Sequence, residues 1–252
     1  MTYCLGIKTK NGLVGLSDTR ITSGTETTSS KKVFTVNKNK HCFFIMTSGL
    51  RSVRDKTITY FSEMMETEGD TFNKLYKTVG KFGDLVKQVA KEDKASLEEN
   101  GFNFNLHAII GGQLENDNTP KLFLLYPEGN WIEIGQGTPF VIIGNKGSGH
   151  PILKRSITFD ESLEYALKSA FLSFDATRIS ANDVGYPIDT LLLRNDSYFI
   201  HEHRFEEADL RDMSTLWNSM IRKTIDDLPA KSLETVFTQK TPAQINKISL
   251  KS

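Results

Sequence analysis

Cysteine is scarce in this sequence, long apolar runs are missing, and neither sign of charge dominates. Cys4 and Cys42 are its two cysteines, and each sits in an apolar, strand-like run with no spaced ligand or disulfide framework around it. Both therefore read as core thiols. No apolar run is long enough to span a bilayer, and no signal-peptide pattern precedes Thr2, so a cytoplasmic protein is expected. Basic and acidic residues number 31 each. That balance gives no reason to expect nucleic acid, a membrane surface or a strongly acidic partner. The segment Gly144 to Gly149 has the look of a phosphate cradle. It lacks the Lys-Ser/Thr ending of a P-loop and the spacing of a dinucleotide fingerprint. His201 and His203 share one strand face as half of a zinc site would, but no third ligand of fitting spacing is found. His41, His107 and His150 have no evident partners. Neither a cofactor nor a metal is expected.

What is present begins at the first residues. Thr2 opens a run that alternates in strand fashion, Lys10-Asn11-Gly12 supplies a tight turn, and Leu13 to Leu16 returns as a second strand. Such a hairpin brings its far ends together and sets Asp18 near Thr2. Threonine is a small second residue, of the type after which Met is usually trimmed. Loss of Met1 would give Thr2 a hydroxyl nucleophile and a free α-amine, which titrates near pH ~8 and can serve as the hydroxyl's base. A polar stretch from Ile21 to Ser30 follows, and then Lys31 to Val36 reads as another strand. A lysine entering that strand can face the Thr2 hydroxyl and lower its pKa, with Asp18 holding the ammonium in place. The plainer alternative for Asp18 and Arg20 is a turn with a surface ion pair.

A near-terminal Thr, then Gly-Leu-Val-x-x-x-Asp-x-Arg, then Lys-Lys-Val resembles the proteasome β-subunit superfamily of N-terminal-nucleophile hydrolases. The opening Met-Thr-Tyr-Cys-Leu-Gly-Ile-Lys is most similar to the bacterial Anbu, or ancestral β-subunit, group. The resemblance spans most of the chain and implies a catalytic Thr2, Asp18 and Lys32. Lys32 directly precedes Val33-Phe34, as the family's lysine does, and strand alternation lets one of the two adjacent lysines face the site. Thr47-Ser48-Gly49 lies at a strand-to-helix junction, where Ser48 reads as an N-cap. The Gly49 N–H there matches the family's oxyanion donor. The resemblance further offers Ser148 in the Gly/Ser turn, and Ser180 and Asp183 before the last strand pair, with Asp175 as another possibility. Their spacing departs from the family pattern.

Along the rest of the chain, Cys42 to Met46 reads as a buried strand. Apolar residues at helical spacing run from Leu50 to Glu66 and from Thr71 to Asn100. Strands are expected over Phe102–Gly112, Leu122–Tyr126, Trp131–Ile134 and Phe140–Ile143, then a helix over Ser162–Phe174. A last hairpin joins Pro187–Leu193 to Tyr198–Ile200, and an amphipathic helix runs from about Glu206 to Asp226. Two antiparallel sheets packed face to face between helical layers would bury every apolar face in this order. That is an α+β, four-layer αββα sandwich, and the family shares it. With no internal linker, residues 1–252 read as one domain with a C-terminal helix and tail from about residue 206.

The function expected is threonine-type amide hydrolysis, by a peptidase or by an acylase of the same fold acting on small amides. The alternative from another class is a non-catalytic, ring-forming assembly protein. The family resemblance implies a homo-oligomer, ring-like or an open helical ring. The aromatic and Met-rich faces of the first two helices are the expected contact. The sequence names no unfoldase partner.

Overall fold

The computed structural model describes residues 2–23, 26–68 and 71–237. Contacts divide the chain into two units, residues 1–210 and 211–252. The first carries everything that positions the site.

Strand β1 (Tyr3–Thr9) and strand β2 (Gly12–Asp18) form an antiparallel hairpin in which Thr9 pairs with Gly12 and Cys4 with Ser17. Every residue of both strands is buried, because their sheet is covered on both faces. The chain then makes a short hairpin of its own, β3 (Arg20–Ser23) and β4 (Glu26–Ser29). The sequence shows only a polar stretch there, from Ile21 to Ser30. Strands β5 (Val33–Lys38) and β6 (His41–Gly49) follow. The strand β6 runs through Thr47, Ser48 and Gly49, so Ser48 is a strand residue and not the helix cap that its type suggests.

Helices α1 (Arg51–Glu68) and α2 (Leu75–Glu99) form the first outer layer. Beneath them lies a five-stranded antiparallel sheet made of β5, β6, β7 (Leu106–Leu114), β8 (Lys121–Leu125) and β9 (Trp131–Glu133), in that order. Their shared core centres on Phe61, whose ring meets Phe34, Phe43 and Phe82 at 5.9, 6.1 and 5.2 Å, all edge-on. Edge-to-face pairs add to the area such rings bury. Buried Asp117 ties α2 to this sheet, its Oδ2 accepting from the Leu75 N–H at 2.9 Å and the Leu114 N–H at 3.0 Å.

The second sheet orders β10 (Phe140–Gly144), β1, β2, β11 (Ile188–Arg194) and β12 (Ile200–Phe205). Cys4, Leu13, Leu191 and Leu193 from this sheet meet Phe44, Met46, Ile109 and Leu122 from the other to form the core between them. Helices α3 (His150–Ser156) and α4 (Leu163–Ser180) complete the sandwich. Ser162 caps α4 by accepting from the Tyr165 N–H at 3.1 Å. The short α3 was not anticipated, and α4 runs on to Ser180, beyond its expected end at Phe174. The architecture is the four-layer α+β sandwich. Helix α5 (Glu207–Asp227) begins at the end of the first unit, and α6 (Glu234–Phe237) lies in the second. Among the described residues no helix is long and apolar enough to cross a membrane.

Candidate active site

The hairpin does what its turn implies. Because Cys4 pairs with Ser17, Asp18 comes opposite Tyr3, one residue from Thr2. The Tyr3 N–H donates to Asp18 Oδ1 at 2.8 Å, and Lys32 Nζ donates to the same oxygen at 2.8 Å. Lys32 Nζ also donates to the Arg20 carbonyl at 2.7 Å. Asp18 is 0% exposed, and its Oδ2 is buried without a hydrogen bond of good geometry. Burial raises the Asp18 pKa above the ordinary aspartate value, while Lys32 and the Tyr3 and Gly185 N–H groups pull the other way. A carboxylate so placed depends on the cation beside it.

Adjacent lysines part company here. Lys32, just before β5, keeps a side chain only 3% exposed against Asp18. Lys31 points elsewhere, 46% exposed and paired with Glu202 at 2.5 Å. The alternation of an extended chain separates them, as expected for neighbours entering a strand.

Thr2 is buried at 9% exposure and is fixed from a second direction. Its carbonyl accepts from the Asn145 N–H at 2.8 Å, at the end of β10, where Tyr3 pairs with Gly144. Gly144 has φ +85°, and a Cβ there would stand 1.9 Å from the Thr2 carbonyl oxygen. Only glycine lets β10 close so tightly on Thr2. On the other side the Tyr3 hydroxyl and Ser173 Oγ share a hydrogen bond of 2.6 Å, which anchors β1 to α4.

Thr2, Lys32 and Gly49 open onto one cleft of about 450 Å³, with Thr47, Ser48 and Gly144 among its walls. Gly49 has φ +142°, and a Cβ would stand 2.0 Å from the Asn105 carbonyl oxygen. The same carbonyl accepts the Leu50 N–H at 2.9 Å, so backbone contacts with Asn105 help fix the turn from β6 into α1. Cys4 lies close beneath, its Sγ 3.2 Å from Ser17 Oγ. Burial pushes its thiol up to about 12, which removes it as a competing nucleophile. Cys42 is likewise raised to about 12.

The remaining expected residues stand outside these walls. Ser148 is half-buried in the turn before α3, three residues from Asn145, and Asp183 is half-buried in the turn after α4, two residues from Gly185. Ser180 is exposed and donates to the Ala176 carbonyl of its own helix at 3.1 Å. Asp175 is buried and pairs with Arg178 at 2.8 Å. Sequence reasoning placed Arg20 in the motif but not in a cleft, and gave no site role to Arg51, Arg54, Asn105 or His107, yet all five line it. Arg51 and Arg54 are one helical turn apart directly after Gly49, and that spacing was the signal available for them. His107 Nδ1 lies 3.0 Å from Asn105 Oδ1, and burial lowers its pKa.

A family model described as proteasome subunit matches residues 2–182, a span that holds the hairpin, both sheets up to β10, and the cleft. The chain belongs to the proteasome subunit family. Solved structures of the Anbu group of this family share its fold. Anbu from Hyphomicrobium sp. strain MC1 is 28% identical with a TM-score of 0.82, covering 90% of this chain and 98% of its own. A structure described as the helical assembly of the Anbu complex from Pseudomonas aeruginosa is also 28% identical, with a TM-score of 0.85 and coverage of 90% and 97%. Anbu from Yersinia bercovieri, at 24% identity and a TM-score of 0.83 over 90% of this chain and 97% of its own, agrees in fold. No curated protein matches the sequence. On this fold the chain carries Thr2 on the cleft wall, with Lys32 paired to Asp18 beside it.

Proposed function

We propose that the chain is a threonine-type amide hydrolase acting on peptides, with Thr2 as nucleophile once Met1 is removed. The observation that carries this reading is the pairing of Lys32 with Asp18 at 2.8 Å, on the wall of the cleft that Thr2 also lines.

The chemistry follows from those positions. The Thr2 hydroxyl proton passes to the free Thr2 amine as Oγ bonds to the substrate carbonyl carbon. Lys32, held by Asp18, stabilises the charge on Oγ. The Gly49 N–H takes the oxyanion that forms. The C–N bond then breaks, and the leaving amine departs with the proton held by the Thr2 amine. Water attacks the Thr2 ester, gives a proton back to Oγ through the same amine, and releases the acid. No metal or cofactor enters any step. Ser148 and Asp183 lie in the loops that carry Asn145, whose N–H meets the Thr2 carbonyl, and Gly185, whose N–H meets Asp18, and neither side chain takes part in a step. Ser180 is engaged with its own helix and takes no part in this reading.

The test is hydrolysis of a fluorogenic peptide by the processed full chain. Thr2→Ala should lose about 10³-fold or more in kcat, and Thr2→Ser should retain part of it, since hydroxyl and amine both remain. Unchanged turnover in Thr2→Ala would end the proposal. The helical assembly described for the Pseudomonas aeruginosa relative supports a homo-oligomer here as well.

A further inference from the structure

The chain as a whole has no net charge, yet its cleft does. Arg20, Lys32, Arg51 and Arg54 all line it, and no carboxylate does among the described residues. Asp18 balances Lys32. Arg51 and Arg54 must share Asp55, at 3.3 and 2.7 Å. Arg20 has no carboxylate partner among the described residues. Its Nη1 donates to the Asn182 carbonyl at 3.0 Å, and its Nε is buried with no acceptor. Four cations thus face two carboxylates.

Their placement sharpens the imbalance. Arg51 and Arg54 occupy the first turn of α1, which holds no acidic residue. A helix N-terminus disfavours cations, so these side chains add to a positive potential that the helix already creates. Low-dielectric walls concentrate such a field. Ile21 is the single aliphatic side chain among the described residues of the walls.

We propose that the cleft selects peptides with an acidic side chain, aspartyl or glutamyl, on the residue whose carbonyl Thr2 attacks, and that Arg51 and Arg54 read that carboxylate. This rests on Thr2 being the nucleophile. Arg54 is the more enclosed reader, its side chain 15% exposed against 66% for Arg51. A guanidinium–carboxylate pair is strong and geometrically selective.

The test compares three fluorogenic peptides that differ only in glutamate, glutamine or lysine before the scissile amide, hydrolysed by the processed full chain. In the same sample, Thr2 is titrated with a small uncharged β-lactone. The expected result is kcat/KM about tenfold or more higher for glutamate than for glutamine, with lysine poorest. The advantage should shrink as salt rises. Arg54→Gln should collapse the glutamate-to-glutamine ratio toward one, and Arg51→Gln, at an exposed position, should reduce it without risk to the fold. Lactone labelling of Thr2 with no glutamate advantage would overturn the preference and leave the nucleophile standing. A glutamate advantage unmoved by either variant would overturn the assignment to these arginines. Absence of both labelling and turnover would overturn the nucleophile reading and this preference with it.

Discussion

At the scale of single residues, the account turns on which of two adjacent lysines does the chemistry. Lys32 has given up solvent to sit between Asp18 Oδ1 and the Arg20 carbonyl, whereas Lys31 makes a partly exposed pair with Glu202. Partly exposed pairs contribute about 0–1 kcal/mol, so Lys31→Ala should change peptide hydrolysis by less than about threefold. Lys32→Ala removes the charge beside the nucleophile and strands a buried carboxylate. It should cost about 10²–10³-fold in kcat and lower stability as well. Steady-state kinetics with a denaturation curve for each variant checks both, and equal mild losses would contradict the assignment. Asp18 was legible in the sequence because a hairpin with a tight turn fixes what lies opposite what, whereas the choice of Lys32 over Lys31 came from the family resemblance. Arg51 and Arg54 were not legible. Charged residues at a helix start read as solvated, and only the packing of β6 against β7 turns that end toward the cleft.

Among elements, the hairpin of β1 and β2, the helix pair α1 and α2, and the strands β6 to β8 were plain in the sequence, because their apolar periods are long and regular. The hairpin of β3 and β4 was hidden by its Thr- and Ser-rich composition. With seven residues, α3 is too short for periodicity to show. The boundary at Gly49 was misread in a telling way. Ser48 looks like a cap, yet the strand continues past it and the turn is made by a glycine at φ +142°. Gly49→Ala should therefore destabilise by about 2 kcal/mol or more, since both the backbone angle and the Asn105 carbonyl resist a Cβ. The same substitution should depress hydrolysis by displacing the N–H proposed to hold the oxyanion. Chemical denaturation and kcat measured together check this, and a variant of native stability would show that the turn tolerates a side chain.

For the whole molecule, the four-layer order followed from counting apolar faces that need covering. What counting could not supply was which walls meet at the cleft, since β1, the junction of β6 with α1, and β10 come from separate parts of the chain. The proposed homo-oligomer predicts a light-scattering mass well above 28.4 kDa that holds on dilution through the micromolar range, with α1 and α2 as a proposed contact. A stable 28.4 kDa species would contradict the proposed homo-oligomer. The central claim is that Thr2, freed of Met1, is the nucleophile, and one experiment reaches it most directly. Protein from its native host is treated with a β-lactone, and its intact mass and N-terminal peptide are read by mass spectrometry. The account predicts loss of Met1 and one lactone adduct carried by Thr2 Oγ, absent from Thr2→Ala. A retained Met1, or an adduct on any other residue, would contradict it.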